Sequence, residues 1–181
     1  MSSRQALSDA DRRTVALWAA DCAERVLPLF ERDAPDDDRA RAGIDRARAY
    51  GRGELDTAEQ IRIRFVAGRA AHSASTPAGA AAARAAGQAS GVAHMGAHAL
   101  GAAAYAARAA ALAAHDPEHA RAEEVAWQLA RLDAPVQDAL LRLPPLGTDS
   151  AGPLGTGLLA TGMLAMTIRE IQTALLTARA G

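Results

Sequence analysis

The feature that most constrains this sequence is a long alanine-rich stretch between Thr76 and His115, whose centre reads AHMGAHALGAAAYAA over residues 93–107. Alanine favours the helix more than any other residue, and its small side chain lets neighbouring helix backbones approach closely. Glycines interrupt the stretch, so one continuous helix is not expected. We predict two closely packed helices with a break near residues 91–96.

The rest of the composition points to the same fold class. The chain has 181 residues, which is enough for one domain with a single buried core. It contains 49 alanines but only six Phe, Trp or Tyr residues. Because alternating β-branched residues are scarce, the pattern argues against a sheet. We therefore predict an all-α protein, a compact bundle of about seven or eight helices.

Helix starts are marked by capping residues. Ser8, followed by Asp11, predicts the first helix, since a side-chain oxygen at this position satisfies a free backbone amide. Thr76 and Asp116 each precede a proline, which is favoured at the first helical position. Pro28 lies inside the first apolar pattern, so we expect a kink or an early end near Glu31.

The remaining segments divide the chain into three parts. We predict a helical domain over residues 1–143, with further helices near 37–50 and 57–74 and a short helix over 135–143. Residues 144–153 are rich in Pro and Gly and predict a linker. Residues 154–181 predict an amphipathic helix for packing or self-association, with a homodimer through this helix as one outcome. Its expected apolar face comprises Leu159, Met163, Met166, Ile171 and Leu175.

Charge and cysteine usage exclude several classes of function. The net charge is −1, every basic residue is Arg, and no basic stripe is present, so we expect no binding to nucleic acid. The single Cys22 excludes an internal disulfide. The charged N-terminal residues do not resemble a signal peptide, and the apolar run 153–168 is too short to span a membrane. We expect a cytoplasmic protein that does not contact the membrane.

His94 and His98 are the residues most suggestive of a reactive centre. Their spacing predicts two imidazoles on one helical face, one turn apart. Two ligands can begin a zinc or iron site, but three or four are normally needed. Hydrogen bonding between helices is the alternative role. No nucleophile elbow or phosphate loop accompanies them, so nucleophilic catalysis is not expected. A metal-binding helical-bundle protein or enzyme using His94 and His98 remains the alternative function.

Two other groups suggest binding or packing. Asp36, Asp37 and Asp38 form an acidic turn, interpreted either as a solvated helix start or as a docking surface for a basic partner. Trp18 and Trp127 are predicted to anchor the core, because each would supply much of the local burial in an alanine-rich protein.

Four segments carry a resemblance to a known family. They are DADRRTVALWAADCAERVLPLFE, RARAYGRGEL, the block AARAAGQASGVAHMGAHALGAAAYAARAA, and EEVAWQLARL. Together they resemble the bacterial Imm-5-like immunity domain over roughly residues 7–143. The resemblance implies an α-helical protein of a polymorphic toxin system, of a type common in actinobacteria. It also implies binding to a cognate protein toxin without enzyme activity and without a cofactor, and it carries no established site residues. Asp36, Asp37 and Asp38 are the predicted partner-facing residues.

Overall fold

The all-α prediction is confirmed by the structure, a computed structural model that describes residues 3–57 and 66–180. These residues contain no strand, and their 3₁₀ turns are Ala70–Ser73 and Leu158–Ala160. The eight α-helices of this part are α1 (Asp9–Asp33), α2 (Arg39–Gly51), α3 (Val66–Arg69), α4 (Pro77–Gly91), α5 (His98–Ala113), α6 (Pro117–Ala130), α7 (Ala134–Leu141) and α8 (Gly162–Ala180).

The predicted caps begin the helices. The side chain of Ser8 accepts a hydrogen bond from the Asp11 amide at 3.1 Å. Thr76 and Asp116 cap α4 and α6 in the same way, each with proline in the first turn. Pro28 does not end α1 near Glu31, because the helix continues through it to Asp33. The predicted break in the alanine-rich stretch is confirmed, since α4 ends at Gly91 and α5 begins at His98.

Three helices form the centre of the bundle. Helices α4 and α5 pack on each other and both pack on α1. Most of α5 is buried, and its buried side chains are chiefly alanines. The largest buried side chains come from α1 and α2, where Phe30, Leu27, Ile44 and Tyr50 fill the space beside the small residues. Close backbone packing thus replaces bulky side chains in this core.

The third predicted helix, 57–74, falls partly outside the described residues. Residues 58–65 of this prediction, among them Ile61 and Phe65, lie outside the described part. The described portion is α3 followed by the 3₁₀ turn Ala70–Ser73. Across residues 3–57 and 66–180, no helix combines the length and the apolar character that crossing a bilayer would require.

The C-terminal helix α8 packs against α5, α6 and α7. Its buried face is formed by Leu164, Ile168, Ile171 and Leu175, which recur at helical spacing. Met166 was expected on this face, but it is 41% exposed. The prediction was wrong for Met166. The helix begins only at Gly162, and its buried face is formed by residues on either side of position 166.

The loop over residues 144–153 is tied to both ends of the described chain. Gln5 is 1% exposed and donates a hydrogen bond to Asp149 Oδ2 at 2.7 Å. The same side chain accepts one from the Leu154 amide at 2.9 Å. On the other side, Gln172 of α8 accepts from one backbone amide of the loop and donates to one of its carbonyls. These bonds satisfy backbone groups that would otherwise be left without partners beneath the loop.

Candidate functional site

The acidic turn, residues 36–38, joins α1 to α2. Asp36 and Asp38 are exposed, and neither forms an ion pair within the described part of the chain. Asp37 is different, because its carboxylate accepts a 2.8 Å bond from Arg39 Nε and its side chain is 14% exposed. This bond from Arg39 holds the pKa of Asp37 well below its usual range. The carboxylates of Asp36 and Asp38 are therefore exposed, whereas that of Asp37 is paired with Arg39.

The acidic turn is anchored to the start of α4. Asp33 Oδ2 accepts hydrogen bonds from the backbone amide and the hydroxyl of Thr76, at 2.8 and 2.7 Å. These bonds lower the pKa of Asp33, the hydroxyl contributing most. Arg39 also donates to Ser73 Oγ at 2.9 Å. These bonds hold the acidic turn in one conformation against the start of α4.

The structure places His94 and His98 differently from the prediction. His94 lies exposed in the turn between α4 and α5, whereas His98 is the first residue of α5 and is half-buried. They do not share a helical face, because the chain is not helical across this turn. His98 Nδ1 lies 2.9 Å from Gln88 Oε1, which joins the two helices. A hydrogen bond between helices was the alternative role expected for this histidine.

Both histidines line an open cleft of about 750 Å³ between α3, α4 and α5. The glycines Gly68, Gly87 and Gly91 leave room in its wall. We call it the arginine–histidine cleft and define it by Arg69, His72, Arg84, His94, His98 and Tyr105. Within residues 3–57 and 66–180, no three His, Cys, Asp or Glu side chains are grouped so that they could hold a metal ion.

The two tryptophans have different surroundings. Trp18 is 3% exposed and donates from Nε1 to the Gln128 carbonyl at 3.0 Å, so its predicted role as a core anchor is correct. Trp127 is only half-buried. Its ring lies between two guanidinium groups, with Arg25 at 4.4 Å and Arg131 at 4.7 Å from the ring centroid. The position of Arg131, four residues after Trp127 and directly after the end of α6, was the sequence signal for this contact.

The fold and these surfaces define an all-helical protein with an anchored acidic turn on one loop and an open polar cleft between its helices. The family described as Imm-5 like putative immunity protein matches residues 5–135, which is more than half of the chain. The chain belongs to this family. Both the acidic turn and the cleft lie within the matched residues, whereas α8 lies beyond them. Comparisons with curated proteins and with solved structures found no match.

Proposed function

We propose that this protein protects its own cell by binding a cognate toxin in the cytoplasm and occluding the toxin's working surface. The observation that carries the proposal is membership of the immunity family over residues 5–135. The mechanism is steric and electrostatic, and it uses neither a catalytic step nor a cofactor. The metal-binding alternative based on His94 and His98 is not pursued, since the part of the chain that the structure describes supplies no third ligand.

The acidic turn is the proposed contact surface for the toxin. Asp36 and Asp38 are exposed, carry like charge and stand on a turn fixed by the bonds of Asp33 and Arg39. Clustered charge of one sign speeds the encounter with a surface of opposite sign and selects against partners of like charge. We therefore propose a basic toxin surface as its counterpart. Asp37 supports the contact by holding the turn.

The experiment first tests the products of the genes that neighbour this one, and a product that stops growth is taken as the candidate toxin. Cells expressing that toxin are tested for growth with the wild-type protein, with D36N/D38N and with a control variant, E123Q/D138N. The control removes two exposed carboxylates of α6 and α7 and so matches the change in net charge. Binding of each purified variant to the toxin is measured by surface plasmon resonance, which gives the association rate as well as the affinity. We expect D36N/D38N alone to lose protection and to bind more slowly, most clearly at low ionic strength.

The outcomes separate the two parts of the proposal. Protection by the wild type and the control, but not by D36N/D38N, supports both the function and the surface. Protection by all three proteins keeps the immunity function and rejects the acidic turn. A wild-type protein that neither protects nor binds rejects the proposed function itself.

Self-association through α8 stays a prediction. Leu176 is 62% exposed and Met166 is 41% exposed on this helix, so apolar surface faces outward there. A pair of such helices could bury these side chains against each other. Measuring the mass of the protein in solution tests this, and a strict monomer at high concentration would exclude it.

A further inference from the structure

Two arginines of the arginine–histidine cleft have no carboxylate partner in the described part of the chain. Arg69 is the last residue of α3, Arg84 lies in the middle of α4, and both are exposed. Neither forms an ion pair with residues 3–57 or 66–180. The described residues that line the cleft include no Asp or Glu.

A contact between two glycines places both guanidinium groups on the same cleft. A Cβ atom added to Gly87 would lie 2.7 Å from the Cα of Gly68, so the backbones of α3 and α4 touch at this point. Arg69 follows directly after Gly68, and Arg84 lies one helical turn before Gly87. Because Gly68 and Gly87 have no side chains, α3 and α4 come close together here. Arg69 and Arg84 therefore lie beside the same cleft.

The inner wall of the cleft adds a hydroxyl group. Tyr105 of α5 is 4% exposed and lines the cleft. Its hydroxyl makes no hydrogen bond with the described residues and is accessible to solvent. Beside it, the bond between Gln88 and His98 fixes the wall formed by α4 and α5. The cleft therefore combines two guanidinium groups with a hydroxyl that can donate a hydrogen bond.

We propose that the arginine–histidine cleft binds a small molecule through a phosphate or carboxylate group held by Arg69 and Arg84. A guanidinium group matches the geometry of both anions, because its N–H groups form two parallel hydrogen bonds to their oxygens. The volume of about 750 Å³ lies within the range of small-molecule sites. The hydroxyl of Tyr105 contacts the same ligand. This site uses different residues from the acidic turn, and the inference does not depend on toxin binding.

The test uses the full-length protein without a toxin. Sodium pyrophosphate and sodium citrate represent the phosphate and carboxylate sources, and each is titrated by calorimetry and by thermal unfolding at constant ionic strength. The variants are R69Q/R84Q, Y105F and the control R32Q/R169Q, which removes two exposed arginines outside the cleft. Because a charge-assisted hydrogen bond contributes strongly, we expect R69Q/R84Q to weaken binding by at least about tenfold. Y105F should weaken it by roughly threefold, and the control should not change it.

Each outcome decides the proposal. Saturable binding of pyrophosphate or citrate that R69Q/R84Q removes supports it, and the tighter of the two anions identifies the group that the site prefers. The circular dichroism spectrum of Y105F is compared with that of the wild type to check that the variant is folded. We expect the same spectrum, because the change removes only one hydroxyl. The proposal is overturned if neither anion raises the unfolding temperature above that in matched sodium chloride. It is also overturned if R32Q/R169Q weakens binding as much as R69Q/R84Q.

Discussion

Arg121 of α6 donates a 2.6 Å hydrogen bond from Nη1 to Glu170 of α8. The Arg121 side chain is only 7% exposed, whereas that of Glu170 is 41% exposed. The bond joins a residue inside the family match to a helix beyond it. Residues 154–180 are thus attached to the matched part of the chain by a specific ion pair as well as by apolar packing.

Glu170→Ala should lower the free energy of unfolding. The change leaves most of the Arg121 guanidinium buried with only the longer 3.3 Å contact to Glu118. Removing one partner of a buried, charge-assisted bond typically costs about 1–3 kcal/mol. Urea denaturation measures the effect, and Arg169→Ala at the neighbouring exposed position provides the control. Equal stability of the two variants would show that the ion pair contributes nothing measurable.

Asp9→Asn should destabilise the protein most at neutral pH. The carboxylate of Asp9 accepts bonds from Arg13 at 2.8 Å, from Thr57 at 2.8 Å and from Tyr50 at 2.9 Å. These bonds, above all that from Arg13, hold the pKa of Asp9 below its usual range. Because the folded pKa is the lower one, the stabilisation is present above about pH 4 and is lost as the pH falls through the folded pKa.

The expected loss for Asp9→Asn at pH 7 is about 1 kcal/mol, since the side chain is half exposed and solvent screens its ion pairs. The difference from wild type should shrink between pH 4 and pH 2, as measured by urea denaturation at several pH values. Asp45→Asn, at an exposed position without an ion pair in the described residues, serves as the control. A difference that does not depend on pH would contradict the account.

Gly87→Ala should separate α3 from α4. The new Cβ would lie 2.7 Å from the Cα and 2.9 Å from the backbone nitrogen of Gly68, and backbone atoms cannot move aside cheaply. Overpacking of this kind costs about 1–3 kcal/mol. Gly157→Ala is the matched control, because a Cβ there meets nothing within 4 Å. Thermal unfolding of both variants checks the prediction, and an unchanged unfolding temperature for Gly87→Ala would refute the close contact.

Cys22 should not react with thiol reagents in the native protein. Its side chain is fully buried, and burial raises the pKa of the thiol well above its ordinary value. Since the thiolate is the reactive species, both effects suppress the reaction. We expect slow labelling by a chromogenic disulfide in buffer and rapid labelling of one thiol per chain in 6 M urea. Rapid labelling of the native protein would show that α1 opens far more often than its packing indicates.

The sequence pattern predicted the helices well because their starts depend on local chemistry. Ser8, Thr76 and Asp116 each cap the helix expected, since an oxygen three residues before a free amide acts within one turn. The break after Gly91 followed in the same way from local composition. These features needed no knowledge of distant contacts.

The features that the sequence did not predict depend on tertiary packing. Trp127 was expected in the core, but its ring lies between Arg25 and Arg131, and Arg25 belongs to another helix. The arginine–histidine cleft was not foreseen either, because it depends on the close tertiary contact of Gly68 in α3 with Gly87 in α4. The three aspartates of the acidic turn were apparent from the sequence. The separate role of Asp37 could be recognised only from the structure, which shows its bond with Arg39.

The hydrogen bonds of the Gln5 side chain affect the order in which parts of the chain can pack during synthesis. This residue lies near the start of the chain, yet its side chain is satisfied only by residues 149–154. During synthesis, residues 149–154 leave the ribosome after α1 to α7 have been made, so this junction closes after those helices exist and across a large loop. A nascent chain can assemble α1, α4 and α5 earlier, whereas the side chain of Gln5 gains these partners only once residues 149–154 have been made.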